Sequence, residues 1–108
     1  MANGCQIRKQ DETYFITLTV VNWIDVFTRR IYRDIVVENL RYCQKNKGLE
    51  IFAFVIMTNH IHLIVRCQNG NLSSVIRDFK SYTAKRVLET IAECSGLPLE
   101  KVQELAKV

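Results

Sequence analysis

Apolar residues follow two different periods in the first half of the chain. The segment TYFITLTVVNW, residues 13–23, is rich in β-branched and aromatic side chains, which is typical of a β-strand. In the segment that follows, apolar residues recur at helical spacing, at Ile31, Ile35, Val36, Leu40 and Cys43. Gly48 supplies a C-terminal stop for this second element. The pattern therefore predicts a strand followed by a helix.

Two short apolar segments come after this helix. LEIFAFVIM, residues 49–57, has the composition of a buried strand, and NHIHLIVRC, residues 59–67, follows it almost at once. We expect the two strands to pair as a hairpin, with the tight turn near residues 57–59.

A long helix is predicted after the turn signal QNGN. Asn71 or Ser73 can cap its N-terminus, and the helix is expected to run to about Cys94. Gly96 and Pro98 end it, and a last short helix is predicted over residues 98–107.

The predicted order of elements is strand, helix, strand, strand, helix and terminal helix. This order points to an α+β, ferredoxin-like (RRM-like) sandwich, with a mostly antiparallel sheet and helices packed on it. A ferredoxin-like domain needs a fourth strand after the long helix, and none is evident before Val108. We therefore expect a single domain over residues 1–108, with its core in residues 13–95, that is either truncated at its C-terminus or a reduced form of the fold.

The formal net charge of +4 is unevenly distributed along the chain. Residues 1–86 carry 13 Lys and Arg against 7 Asp and Glu, whereas residues 87–108 carry 2 against 4. The first part is suited to an anionic polymer such as nucleic acid. The alternative interpretation, which the charge alone favours, is a modest positive excess that only keeps the protein soluble.

Several classes of protein are disfavoured by the sequence. No apolar run approaches the ~20 residues of a membrane span, and the polar N-terminus MANGCQIRKQDE lacks the apolar core of a signal peptide. We expect a cytoplasmic protein without a membrane partner. The four cysteines form no C-x-x-C pair, so that reduced thiols are expected rather than a zinc ribbon or a disulfide framework.

Both histidines of the chain stand one residue apart, in the stretch TNHIHLIV. Successive side chains of a strand point to opposite faces, so His60 and His62 share one face and the apolar residues between and after them share the other. Two adjacent imidazoles can ligate one metal ion. The alternative interpretation is two histidines on a solvated or half-buried strand face.

Tyr82 stands at the margin of the apolar stripe of the long helix, about 60° from Phe79 around the helix axis. The stripe consists of Leu72, Val75, Ile76, Phe79, Thr83 and Val87. Four cations surround the tyrosine in sequence, namely Arg77, Lys80, Lys85 and Arg86. Tyr82 is either a half-buried aromatic residue with a hydrated hydroxyl or a phenol nucleophile beside a metal site, with cations for phosphate.

In combination, the strand VIMTNHIHLIV and the helix LSSVIRDFKSYTAKRV resemble the HUH single-tyrosine transposases. The resemblance is especially to the REP-associated tyrosine transposases and their insertion-sequence relatives. The resemblance covers about residues 13–88, most of the chain.

The resemblance implies a single-stranded DNA transposase that nicks and rejoins DNA. His60 and His62 would hold Mg²⁺ or Mn²⁺, and Tyr82 would attack a phosphodiester to give a 5′-phosphotyrosine link and a free 3′-OH. The DNA, single-stranded or folded as a hairpin, would be contacted by Asn59, Arg77, Lys80, Lys85 and Arg86. The alternatives are a catalytically weakened or inactive DNA-binding relative and a metal-binding or dimerising domain with no DNA role.

The resemblance also implies a third metal ligand and a dimer. Relatives often carry Gln or Asn one helical turn after the tyrosine, where this chain has Arg86, so that Asp78 or Glu89 is predicted to substitute. A homodimer is expected, in which the tyrosine helix can serve the partner's metal site. An unpaired sheet edge at NHIHLIVRC is expected to favour such pairing.

Overall fold

The computed structural model describes residues 2–3, 9, 12–20 and 25–101, with the backbone alone for residues 2–3. It contains four strands, two long helices and a short 3₁₀ helix at Val26–Thr28. The strands are β1 (Ala2–Asn3), β2 (Tyr14–Thr19), β3 (Leu49–Ile56) and β4 (His60–Cys67), and the helices are α1 (Arg30–Asn46) and α2 (Leu72–Ser95). No helix of the described part has the length and hydropathy to cross a membrane.

The strands form one antiparallel sheet in the order β1-β2-β4-β3. With α1 and α2 packed against this sheet, the fold is α+β and its arrangement ferredoxin-like, as predicted. In the ferredoxin-like pattern a strand after the second helix would lie beside the first strand. In the described part of the chain, β1 takes that place beside β2.

The strand β4 lies in the interior of the sheet, whereas an unpaired edge is expected there from the sequence. It pairs with β2 from Tyr14↔Val65 to Thr19↔His60, and with β3 on its other side. The expectation of an unpaired edge at NHIHLIVRC is therefore wrong.

The open edge of the described sheet lies at β3 instead, so the segment predicted as a buried strand is an edge strand. Its large apolar side chains Phe52, Phe54 and Val55 are 58%, 44% and 52% exposed. Apolar composition alone did not reveal this, because burial depends on whether a neighbouring element covers the strand.

The core lies between the sheet and the two helices. Alternate residues of β2 and β4 point into it. Tyr14, the first of them in β2, is partly buried, and the other six are fully buried: Ile16, Leu18, Ile61, Leu63, Val65 and Cys67. The stripe predicted for α2 is buried as expected. In α1 the predicted stripe is buried at Ile35, Val36, Leu40 and Cys43. Only its first position differs, because Tyr32 is buried while Ile31 is 44% exposed.

The ends of the elements fall close to their predicted positions. Gly96, with φ +73°, caps α2 through its N–H, which donates to the Ala92 carbonyl. Asn71 occupies the N-cap position, but its side chain forms no capping bond and accepts a hydrogen bond from the Cys67 thiol at 2.8 Å. The strand predicted over residues 13–23 corresponds to β2, which ends at Thr19, and residues 21–23 of the prediction lie outside the described residues. Residues 99–101 are helical, and the rest of the predicted terminal helix also lies outside them.

Asn39 is a buried polar residue that links the two helices. Its Nδ2 donates to the Phe79 carbonyl at 3.2 Å and to Thr83 Oγ1 at 2.7 Å. Asn39→Ala removes both hydrogen bonds in a site that is only 5% exposed, and we expect a loss of about 1–3 kcal/mol in the free energy of unfolding. Urea denaturation measures this loss as a lower midpoint at constant slope. The exposed neighbour Glu38 provides the control, since Glu38→Ala should change stability by less than about 0.5 kcal/mol. Equal losses in both variants would contradict this role of Asn39.

Candidate functional site on the outer face of the sheet

The two histidines project from the sheet face that α1 and α2 do not cover, which we call the outer face. Because Ile61 and Leu63 point into the core, His60 and His62 point the opposite way, as their spacing predicts. The neighbouring strands add further side chains to the outer face. From the register, it carries Phe15, Thr17 and Thr19 of β2, Ala53 and Val55 of β3, and Ile64 of β4.

A tight hairpin fixes the start of β4. The Met57 N–H donates to the His60 carbonyl at 2.8 Å, which closes a turn with Thr58 and Asn59 between them, as predicted. Both turn carbonyls accept hydrogen bonds at 2.8 Å, that of Thr58 from the Phe27 N–H and that of Asn59 from the Val20 N–H. The position of His60 therefore depends on the end of β2 and on the 3₁₀ helix as well as on its own strand.

The imidazole rings are close together and each has a polar partner. Their centroids lie 4.7 Å apart, with an interplanar angle of 80°. His62 Nδ1 lies 3.1 Å from Thr17 Oγ1, and His60 Nδ1 lies 2.8 Å from Asn59 Oδ1. In the tautomers in which each Nδ1–H donates to these oxygens, both Nε2 lone pairs are left for a ligand. Hydrogen bonds of this kind orient metal-ligating histidines.

The histidine pair fits part of a divalent metal site. Imidazole can ligate a divalent ion, but Mg²⁺ and Mn²⁺ are bound mainly by oxygen ligands. In the described residues, no group of three or more His, Cys, Asp or Glu side chains could hold a metal ion. An ion held by His60 and His62 would need further oxygen ligands, which water and a DNA phosphate can supply.

The structure does not bring the proposed third ligands to the histidines. Asp78 lies on α2, where its carboxylate accepts a hydrogen bond from Lys47 Nζ at 3.2 Å and also pairs with Arg77 at 3.4 Å. The hydrogen bond from Lys47 lowers the pKa of Asp78 below its ordinary value. Glu89, also on α2, pairs with Arg86 at 2.9 Å. Both carboxylates therefore have cationic partners on the helix side of the sheet.

Tyr82 also lies on the helix side. Its side chain is 55% exposed and lines a groove of about 520 Å³ between α1 and α2, with Tyr42 among the other lining residues. The helices cover one face of the sheet and the histidines occupy the other. The structure thus separates Tyr82 from the histidine pair of its own chain.

None of the four tyrosines lies on the outer face. Tyr14 alternates with Phe15 along β2 and so points to the side of the core, and Tyr32 is buried in α1. Tyr42 and Tyr82 share the groove between the helices. A tyrosine that attacks a phosphate at the histidines of this chain must therefore come from another molecule, unless the helices rearrange.

The cations predicted to contact DNA are likewise on α2. Arg77, Lys80, Lys85 and Arg86 surround Tyr82 in sequence, and Arg77 and Arg86 form the ion pairs with Asp78 and Glu89. The fifth residue predicted to contact DNA, Asn59, is next to the histidines and hydrogen-bonds one of them. Thr17 and Phe15 could not be identified from the sequence as neighbours of His62, because these contacts depend on the register between β2 and β4.

An antiparallel α+β sheet with two paired histidines on its uncovered face defines a candidate ligand-binding surface, and comparison with known proteins identifies the family. The chain belongs to the IS200-like transposase family, whose model matches residues 9–101. The resemblance found in the sequence is thereby confirmed, and the protein is a DNA-processing enzyme of the transposase type. No curated protein and no solved structure gives a significant match to the chain.

Proposed function

We propose that this transposase cleaves and rejoins single-stranded DNA, and that His60 and His62 hold a divalent cation, Mg²⁺ or Mn²⁺, at the reacting phosphate. One observation carries the proposal: the centroids of the two imidazoles lie 4.7 Å apart on the outer face of the sheet, and each ring is held by a hydrogen bond at Nδ1. The family supplies the context of DNA transposition.

The residues of the site have distinct roles in this proposal. His60 and His62 bind the ion through Nε2, and Asn59 and Thr17 hold the two rings in place. When bound, the cation supplies electrostatic stabilisation of the phosphate as negative charge develops on it. Neither α1 nor α2 covers the outer face, so an extended strand of DNA can reach the histidines without displacing either helix.

Tyr82 is the proposed nucleophile, with its phenol oxygen attacking phosphorus. The P–O bond to the 3′ oxygen breaks, the phenol proton passes to solvent, and the departing 3′ oxygen takes up a proton from solvent. The products are a 5′-phosphotyrosine and a free 3′-OH. Attack of a 3′-OH on the phosphotyrosine restores the phosphodiester and releases the phenol. Since one phosphoester replaces another, the cycle needs no nucleotide cofactor.

The position of Tyr82 sets a geometric condition on this proposal. The second molecule that supplies the tyrosine has to approach with its helix layer towards the outer face, so we propose a homodimer of that kind on the DNA. Antiparallel pairing of two β3 edges is a different arrangement. It would extend the sheet and leave both helix layers on the same side, away from the histidines.

One alternative function has structural support. The described residues contain no third metal ligand of the His, Cys, Asp or Glu type and no tyrosine on the outer face. Both observations favour a catalytically weakened or inactive relative that binds single-stranded or hairpin DNA without cutting it. Binding without cleavage would separate this alternative from the enzyme.

Incubation with labelled single-stranded DNA and Mn²⁺, followed by a denaturing gel, tests the proposed function. We expect a covalent protein–DNA adduct that requires the metal and forms more readily on single-stranded or hairpin DNA than on plain duplex. Binding should weaken steeply as salt increases, because cations on the protein replace counterions at the phosphates. Salt-sensitive binding without an adduct would support the non-cutting alternative, and equal reaction on duplex would contradict the proposed substrate.

A further inference from the structure

An aromatic ring lies beside the histidine pair and has most of its surface in solvent. Phe15 is 60% exposed, and its ring is stacked on His62 with a centroid distance of 5.4 Å and an interplanar angle of 27°. A single exposed apolar residue on a protein surface is ordinary. Phe15 differs from such a residue because its ring is held nearly parallel to that of His62, which belongs to the proposed phosphate site, and yet remains largely accessible.

Apolar side chains continue from Phe15 across the outer face. Ile64 lies opposite Phe15 on β4 and is 37% exposed, and Val55 lies opposite His62 on β3 and is 52% exposed. Together they form an uncharged surface around the histidines that neither α1 nor α2 covers. The nearest described ion pair on this face joins Arg66 and Glu50 at 3.0 Å. Arg66 is the next outward-facing residue of β4 after Ile64.

A nucleobase is the occupant that suits this surface. The ring of Phe15 is stacked on the ring of His62. When a phosphate of the DNA reaches the histidines, the base of the same nucleotide can therefore contact Phe15. Every base has an aromatic face that stacks on such a ring, whatever its sequence. In a duplex that face is covered by the neighbouring base pairs, and the base must leave the stack before it can be bound.

We propose that Phe15 is a base-stacking residue that receives the unpaired base next to the phosphate at His60 and His62. This inference rests on the proposed function, in which the histidines are the phosphate site. It assigns to the outer face a physical basis for preferring single-stranded DNA: a stacking surface that only an unpaired base can use.

Substitutions at Phe15 test the proposal through the affinity for single-stranded DNA. Phe15→Ala should weaken binding about tenfold, which corresponds to about 1.4 kcal/mol, because the base loses its stacking partner, whereas Phe15→Trp keeps an aromatic face and should retain binding. Phe15→Leu keeps an apolar side chain without an aromatic face and should behave like Phe15→Ala. Phe52→Ala is the matched control, because Phe52 is 58% exposed but lines a groove beside α1. Equal weakening by Phe15→Ala and Phe52→Ala would overturn the proposal.

A series of oligonucleotides, each lacking one base, locates the contact. In the unmodified protein, removal of one particular base near the reacting phosphate should weaken binding about tenfold, and this cost should disappear in Phe15→Ala, as expected for two groups that interact directly. A series with no sensitive position, or a sensitive position that persists in Phe15→Ala, would overturn the stacking contact.

The stability gained from Mn²⁺ separates this inference from the proposed function. Phe15→Ala should keep the increase in melting temperature with Mn²⁺, because the histidines and their partners Thr17 and Asn59 are unchanged. Loss of the metal response in Phe15→Ala would reduce Phe15 to a support for His62 and overturn its role in stacking. If the unmodified protein shows no metal response but Phe15→Ala still loses the base contact, the metal site fails while the stacking residue stands.

Discussion

Replacement of both His60 and His62 by Ala is expected to abolish the stabilisation by Mn²⁺ and the Mn²⁺-dependent DNA adduct together. A ligand that binds only the folded state at 100 times its dissociation constant stabilises that state by about 2.7 kcal/mol. Without the two imidazoles this contribution disappears. The fold should survive, because both side chains are half-buried on the outer face and neither belongs to the core.

Melting curves with and without Mn²⁺ measure the effect. Val55→Ala is the matched control, since Val55 lies directly opposite His62 on the same face and offers no metal ligand. Thr17→Val keeps both imidazoles but removes the oxygen that orients His62, so we expect metal affinity to fall by about 10–100-fold. A melting shift that persists unchanged in the double Ala variant would refute the metal site.

The order of the main elements and the shared face of the histidines could be predicted because both depend on local patterns. Alternation along β4 places His60 and His62 opposite to Ile61 and Leu63 whatever lies beside the strand. The strand order could not be read in the same way. It places β4 in the middle of the sheet and β3 at the edge, and it depends on contacts between distant segments.

The surroundings of the candidate site were beyond prediction for the same reason. Thr17 reaches His62 across 45 residues of sequence, and Phe15 stacks on it only in the register that β2 adopts. Tyr82 was correctly placed outside the buried stripe of α2. The stripe has a margin on each side, however, and the sequence does not show which margin faces α1. In the structure, the margin that carries Tyr82 faces the groove between α1 and α2.

Tyr82→Phe is expected to eliminate the covalent adduct while leaving folding and DNA binding intact. The substitution removes the phenol oxygen that would attack phosphorus, and it costs little stability because the side chain is 55% exposed. Tyr42→Phe is a close control: Tyr42 is also 55% exposed and lines the same groove. It should retain the adduct. An adduct that persists in Tyr82→Phe and maps to Tyr14, Tyr32 or Tyr42 would move the nucleophile.

Mixing two inactive variants then tests whether the tyrosine acts between molecules. His60→Ala retains Tyr82, and Tyr82→Phe retains the histidines, so a mixture should regain part of the adduct if one molecule attacks DNA held by another. The adduct should form on the His60→Ala chain, which carries the only Tyr82, and its yield should rise more than linearly with protein concentration. The separation of Tyr82 from the histidines by the sheet requires this outcome as long as the helices keep their places. If the unmodified protein forms an adduct at Tyr82 but the mixture never does, the attack occurs within one chain, and α2 must leave the position described here during the reaction.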